Sequence, residues 1–189
     1  MFYPSRFGAV DVDLWRTNTG CQSLAFDGEV GAIRGLIDIP LTRSSKLSRT
    51  IDILPMSGRT AGCGVLCARN LPGLLFLGPV LSPGDSGWPT LIREADDHSY
   101  ENRLFGCLGL QDLGYEYAFT DVFVPGKTRF GPGAALAVRR ELERGNERTR
   151  VEAQRAIGVL EIAVHRQRQQ LRAADHLAVS PVQKLVGEM

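Results

Sequence analysis

The chain has 189 residues, 43% of them hydrophobic and 23% charged, with a formal net charge of +1. That length allows one domain with its own core plus an appendage, and so even a charge balance exerts no overall pull on nucleic acid or a membrane surface. The start at Met1 has neither the basic head nor the apolar run of a signal peptide, and no window approaches 18 continuous apolar residues; the expectation is a cytoplasmic chain with no membrane partner.

Taken in chain order, the first 130 residues alternate short apolar runs with Gly, Pro, Asn and Asp. The runs are "GAIRGLIDIP" (31–40), "RTIDILPM" (49–56), "GCGVLCA" (62–68), "GLLFLGPVL" (73–81), "NRLFGCLGL" (102–110) and "YAFTDVFVP" (117–125). Cores of about five to seven residues between turn signals favour strands over helices. Strands returning every ten to fifteen residues suggest an antiparallel barrel or sandwich. "VPGKTRFGPG" (124–133) reads as a linker, and from Ala134 the composition shifts to Ala, Leu, Glu, Arg and Gln, all good helix formers. Ala153, Ile157, Leu160, Val164 and Leu171 recur at three- and four-residue steps and form one apolar stripe. The stripe suits packing on the barrel or self-association through a helix over 147–172. Arginines outnumber glutamates there, but no aromatic residue is present to stack on bases, so nucleic acid is not the expected partner.

Cys21, Cys63, Cys67 and Cys107 are too few and scattered for a disulfide framework. Cys63 and Cys67 make at most half a zinc site, which wants four ligands; buried structural thiols are the simpler reading, with no metal or cofactor expected.

The most specific stretch is "SPGDSGWP" (82–89). Glycines on both sides of Ser86 allow a tight turn in which the N–H groups of Gly84 and Ser86 could converge on one oxyanion. The same tetrapeptide also makes an ordinary hairpin turn. With "SGRTAGCGVL" (57–66) before it and "NRLFGCLGLQ" (102–111) and "YAFTDVFVP" (117–125) after it, the stretch resembles the C-terminal barrel of a trypsin-like serine protease. The resemblance implies a mainly β, antiparallel chymotrypsin-like β-barrel with a C-terminal α-helical extension. It divides the chain into a remnant of the N-terminal barrel (1–49), a C-terminal barrel (50–130), and a linker with helical extension (131–189). It makes Ser86 the nucleophile, Gly84 and Ser86 the oxyanion hole, and Asp85 the support of that loop. "DVDLW" (11–15) resembles the strand carrying the triad aspartate, here Asp11. Val80 falls at the pocket base, and Gly106, Leu108 and Gly109 on a strand forming the pocket wall.

The same resemblance requires a base histidine before Asp11, and none is there. His98, His165 and His176 all follow the serine, without the spacing of α/β-hydrolases or of the SGNH esterases. Losing a triad member costs a factor on the order of 10^4 to 10^6. The sequence therefore reads as a serine endopeptidase homologue acting on peptide or protein, inactive as this chain. The alternative is a non-catalytic module that binds peptides in the barrel cleft or self-associates through its helix.

Overall fold

In the computed structural model, which describes residues 1–145 together with Glu147, Gln154 and Arg155, the apolar runs become strands of an open sheet. The chain begins with α1 (Val12–Thr19), β1 (Leu24–Phe26), the single turn α2 (Asp27–Val30) and β2 (Ile39–Leu41). It continues through β3 (Ser45–Lys46), β4 (Ile51–Pro55), β5 (Gly64–Ala68) and β6 (Leu74–Gly78). The hairpin β7 (Ser82–Pro83) and β8 (Pro89–Thr90) follows, then α3 (Tyr100–Gly109), a 3-10 turn (Leu110–Asp112) and β9 (Tyr117–Thr120). Residues 134–145 are helical.

The main sheet has the order β3-β4-β5-β6-β9. Pairing is antiparallel from β3 to β6 and parallel between β6 and β9. A parallel pair needs a crossover, and here it contains the β7–β8 hairpin and α3. A second, two-stranded parallel sheet pairs β1 with β2. The expected closed antiparallel barrel is therefore absent: the sheet is open and mixed, and the architecture of the described residues is α/β.

One segment accounts for much of that difference. "NRLFGCLGL", whose sequence reads as a strand, is the body of α3. Ser99 caps the helix by accepting from the Asn102 N–H, at 3.2 Å. Arg103, Cys107 and Leu110 then fall inside at steps of four and three residues, the helical period rather than that of a strand. Gly106 and Gly109, which look like turn punctuation in the sequence, lie within this helix. Gly106 packs so closely on Met56 that an added Cβ would meet its Sδ at 2.5 Å.

Alternation along the strands gives the sheet two distinct faces. Val65, Cys67, Leu75, Leu77 and Ala118 point to one, where they join Cys107 and Leu110 with Ala134, Val138 and Leu142 of the 134–145 helix. That helix thus completes the main core. On the other face a cross-strand row runs Ser45, Ile53, Leu66, Phe76, Phe119. Phe26 and Leu41, from β1 and β2, cover Ile53. Farther along the row Phe76 is 41% exposed, so this second layer stops partway across.

Two buried polar clusters tie the layers together. Glu29 is fully buried and accepts from the backbone N–H groups of Arg6, at 2.5 Å, and Gly62, at 2.9 Å. Arg103, also fully buried, donates Nε to the Val80 carbonyl at 2.7 Å and Nη1 to the Ile92 carbonyl at 2.8 Å. Its Nη1 also meets the Asp97 carboxylate at 2.9 Å. Removing one partner of such a cluster leaves a buried charge unpaired. Arg103→Ala is expected to cost about 3–5 kcal/mol, read as a lower urea midpoint at unchanged slope.

Near the N-terminal layer Arg16 grips Asp38 through two donors, at 2.7 and 2.5 Å, and Ser23 donates to the same carboxylate through its N–H and Oγ. The Arg16 hydrogen bond first, and the Ser23 bonds second, hold the Asp38 carboxyl far below its ordinary value of 3.8. A carboxyl so depressed adds stability above its unfolded value and loses it as pH falls towards the folded one. Asp38→Asn should therefore lower the melting temperature at pH 7, with the gap from the parent narrowing only as pH drops below about 4.

Candidate functional site

The Ser86 turn is a real hairpin, closed by the pairing of Ser82 with Thr90 and Pro83 with Pro89. Its donors are engaged differently from an oxyanion hole. The Gly84 N–H donates to the Trp88 carbonyl at 3.0 Å, and the Gly87 N–H to the Gly84 carbonyl at 2.8 Å. The Ser86 hydroxyl donates to Glu141 Oε1 at 3.0 Å and accepts weakly from the Trp88 N–H at 3.4 Å. Arg144 donates to the same Glu141 oxygen at 3.2 Å. The turn thus docks the crossover onto the 134–145 helix. Gly87, at φ 80°, lies against the Lys127 carbonyl so tightly that a Cβ would collide with it. The glycines of the tetrapeptide serve turn geometry and close packing.

The remaining residues singled out by sequence do not gather around Ser86. Asp85 is exposed at the hairpin tip. Val80 is fully buried beneath Arg103 rather than lining a pocket. Gly106, Leu108 and Gly109 lie on α3, so no strand wall exists for them to form. Asp11 precedes α1 in the left-handed conformation, φ 54° and ψ 40°. It lines a separate open hollow of about 600 Å³ with Arg6, Asp13 and Arg34. His98 is exposed in the loop before α3, its N–H 3.5 Å from the Arg59 carbonyl. His165, His176 and the stripe from Ala153 to Leu171 lie outside the described residues.

A different place is marked by the sheet topology, the carboxyl end of the parallel pair. In open sheets with parallel strands, ligands bind outside the carboxyl ends of those strands. Here the parallel pair ends at Gly78 and Thr120, and the Asp121 N–H donates to the Gly78 carbonyl at 3.2 Å. Asp121 is exposed as a residue, yet desolvation lifts its carboxyl above the ordinary value, while the cations of Arg59 and Arg103 pull the other way. Arg59 stacks on the Phe7 ring, 4.8 Å from its centroid, and pairs with Asp96 at 2.8 Å. Past Asp121 the loop runs Val-Phe-Val-Pro-Gly, with Val122, Phe123 and Val124 all exposed. No sequence motif pointed to this strand end, because it is defined by a pairing between segments forty residues apart.

No family model and no curated protein matches the chain. Solved structures do. A metallo-β-lactamase from Hirschia baltica aligns at TM-score 0.51 and 15% identity, over 72% of this chain and 64% of that one. One from Pontibacter korlensis aligns at 0.55 and 11%, over the same shares, and one from Cronobacter sakazakii at 0.54 and 11%, over 82% and 73%. The chain thus spans about 64% of the length of the first two. At these identities the likeness establishes the fold, that of the metallo-β-lactamases, and overturns the assignment to the trypsin-like serine proteases.

These neighbours are named for a metal, and the donors among the described residues do not fit one. Among the described residues no three His, Cys, Asp or Glu side chains lie together as a metal site. His98 is the one described histidine. Burial pushes the thiols of Cys63 and Cys107 up to about 12 and raises that of Cys67, which disfavours the thiolate a metal needs. Cys63 and Cys67, four residues apart along extended chain, are separated by roughly 13 Å, too far to share one ion. Only Cys21 is exposed. With a water-soluble disulfide reagent the native chain should release one thiol equivalent rapidly, and all four after denaturation; rapid release of two or more would contradict the buried placement.

Proposed function

We propose that this chain uses a metallo-β-lactamase fold as a binding scaffold and does not carry out metal-dependent hydrolysis through residues 1–145. The observation that carries the reading is the loop following β9. At the carboxyl end of the parallel pair, where this architecture favours a ligand, it offers Asp121 as its one carboxylate. Valine, phenylalanine, proline and glycine follow instead of metal donors. A Lewis-acid site needs several converging ligands with supporting partners, and that constellation is missing among the described residues. What the loop offers instead is apolar surface beside a carboxylate with a raised proton affinity, next to Arg59.

Metal content of the full chain tests this reading. Protein from zinc-supplemented culture, passed over a chelating resin, should contain well under one zinc per chain. Its melting temperature should not change with EDTA, since a ion bound only to the folded state would add stability that chelation removes. A chromogenic cephalosporin should not be hydrolysed above the buffer rate. One retained zinc per chain, with a melting temperature that falls on chelation, would overturn the proposal.

A further inference from the structure

The row of side chains on the second sheet face ends in an unusual feature. Phe76 of β6 stacks on Phe119 of β9, with ring centroids 5.2 Å apart and planes at 20°. Phe119 stacks in turn on Phe130, at 5.3 Å and 21°. Phe123 then tilts onto Phe130 at 6.5 Å. Phe76, Phe123 and Phe130 are 41%, 63% and 37% exposed. The layer that shields Ile53 from β1 and β2 stops before it reaches them. A sheet face left to solvent is normally polar, and this one is a ladder of phenylalanines.

We propose that this ladder is an interface between two copies of the chain. The inference deepens the binding reading above and rests on it in one respect, that the loop after β9 is a contact surface. Area supports a protein occupant. A phenylalanine buries about 150–250 Å², so at these exposures the three rings offer on the order of 300 Å², and Val122 and Val124 enlarge the patch. That is close to the apolar share of a standard interface of about 800 Å² per partner.

Ring geometry disfavours stacked bases or a flat ligand. Phe119 is sandwiched between Phe76 and Phe130, so the central ring of the ladder has no free face for a base or a flat ligand, while the whole patch suits another apolar surface. Charge supports a second copy in particular. Asp121, Lys127 and Arg129 stand on the loop beside the ladder, and among the described residues none of them enters an ion pair. In a two-fold contact each copy offers the same patch to the other. A loop carrying both signs can then set the Asp121 of one copy against the Lys127 or Arg129 of its partner.

Sedimentation velocity on the full chain from 5 to 200 µM tests this. The expected result is a concentration-dependent doubling of mass. Phe76→Lys and Phe123→Lys should each weaken it at least tenfold, with melting temperature checked alongside. Phe123 lies in a loop and is mostly exposed, so its replacement reads association rather than folding. Lys127→Glu should also weaken the dimer, and adding Asp121→Lys should restore it. A single-chain mass at 200 µM, or a dimer indifferent to both phenylalanine substitutions, would overturn the proposal. A particle that sediments faster only when an oligonucleotide is added would do so as well. Zinc occupancy is a separate readout, so failure here and failure of the scaffold reading are told apart.

Discussion

The buried guanidinium of Arg103 is the constraint on which the α/β crossover depends. It rises from α3 and takes up the carbonyls of Pro79, Val80 and Ile92 and the carboxylate of Asp97. Those carbonyls belong to the chain leaving β6 and to the segment after β8, both irregular backbone that would otherwise be buried without partners. One side chain thus satisfies the groups that a loop between a strand and a helix leaves open, and fixes where α3 lies against the sheet. Gly58 accommodates it: a Cβ there would run into the Arg103 backbone. A fully desolvated arginine is tolerated because each of its three nitrogens has at least one acceptor, one of them a carboxylate.

With α3 fixed on one face and the 134–145 helix beside it, β9 is placed next to β6 in parallel. That single pairing separates this architecture from an antiparallel barrel and creates the strand end at Gly78 and Asp121. It also leaves the opposite face covered at β4 and open at β6 and β9. The open region and the strand end meet in the loop after β9. In this chain that loop carries the exposed side chains Val122, Phe123 and Val124.

The serine turn illustrates how local information misleads. Gly84 to Gly87 form a tight turn, as glycines around a polar pair favour, but a turn is not a catalytic site. What decides is where its N–H groups point, and Gly84 spends its own on the Trp88 carbonyl within the hairpin. Glu141, fifty-five residues on, takes the hydroxyl. The four elements that resembled a protease barrel kept their order along the chain, yet the third of them is a helix. Gly106 and Gly109 disguised the helical period carried by Arg103, Cys107 and Leu110, because the first of these is a charged residue that apolar patterning passes over.

By themselves the letters determined strands within the runs 49–56, 62–68, 73–81 and 117–125, the turn at 84–87, the burial of Cys63 and Cys67, and a helical composition after Ala134. Each follows from propensity or alternation within a few residues, and such preferences act locally. The tertiary structure alone decided that β9 runs beside β6 in parallel, that a buried arginine organises the crossover, and that four phenylalanines from distant segments form one exposed ladder. Those outcomes depend on which segments meet across tens of residues, where desolvation and packing outweigh anything a short stretch of sequence expresses.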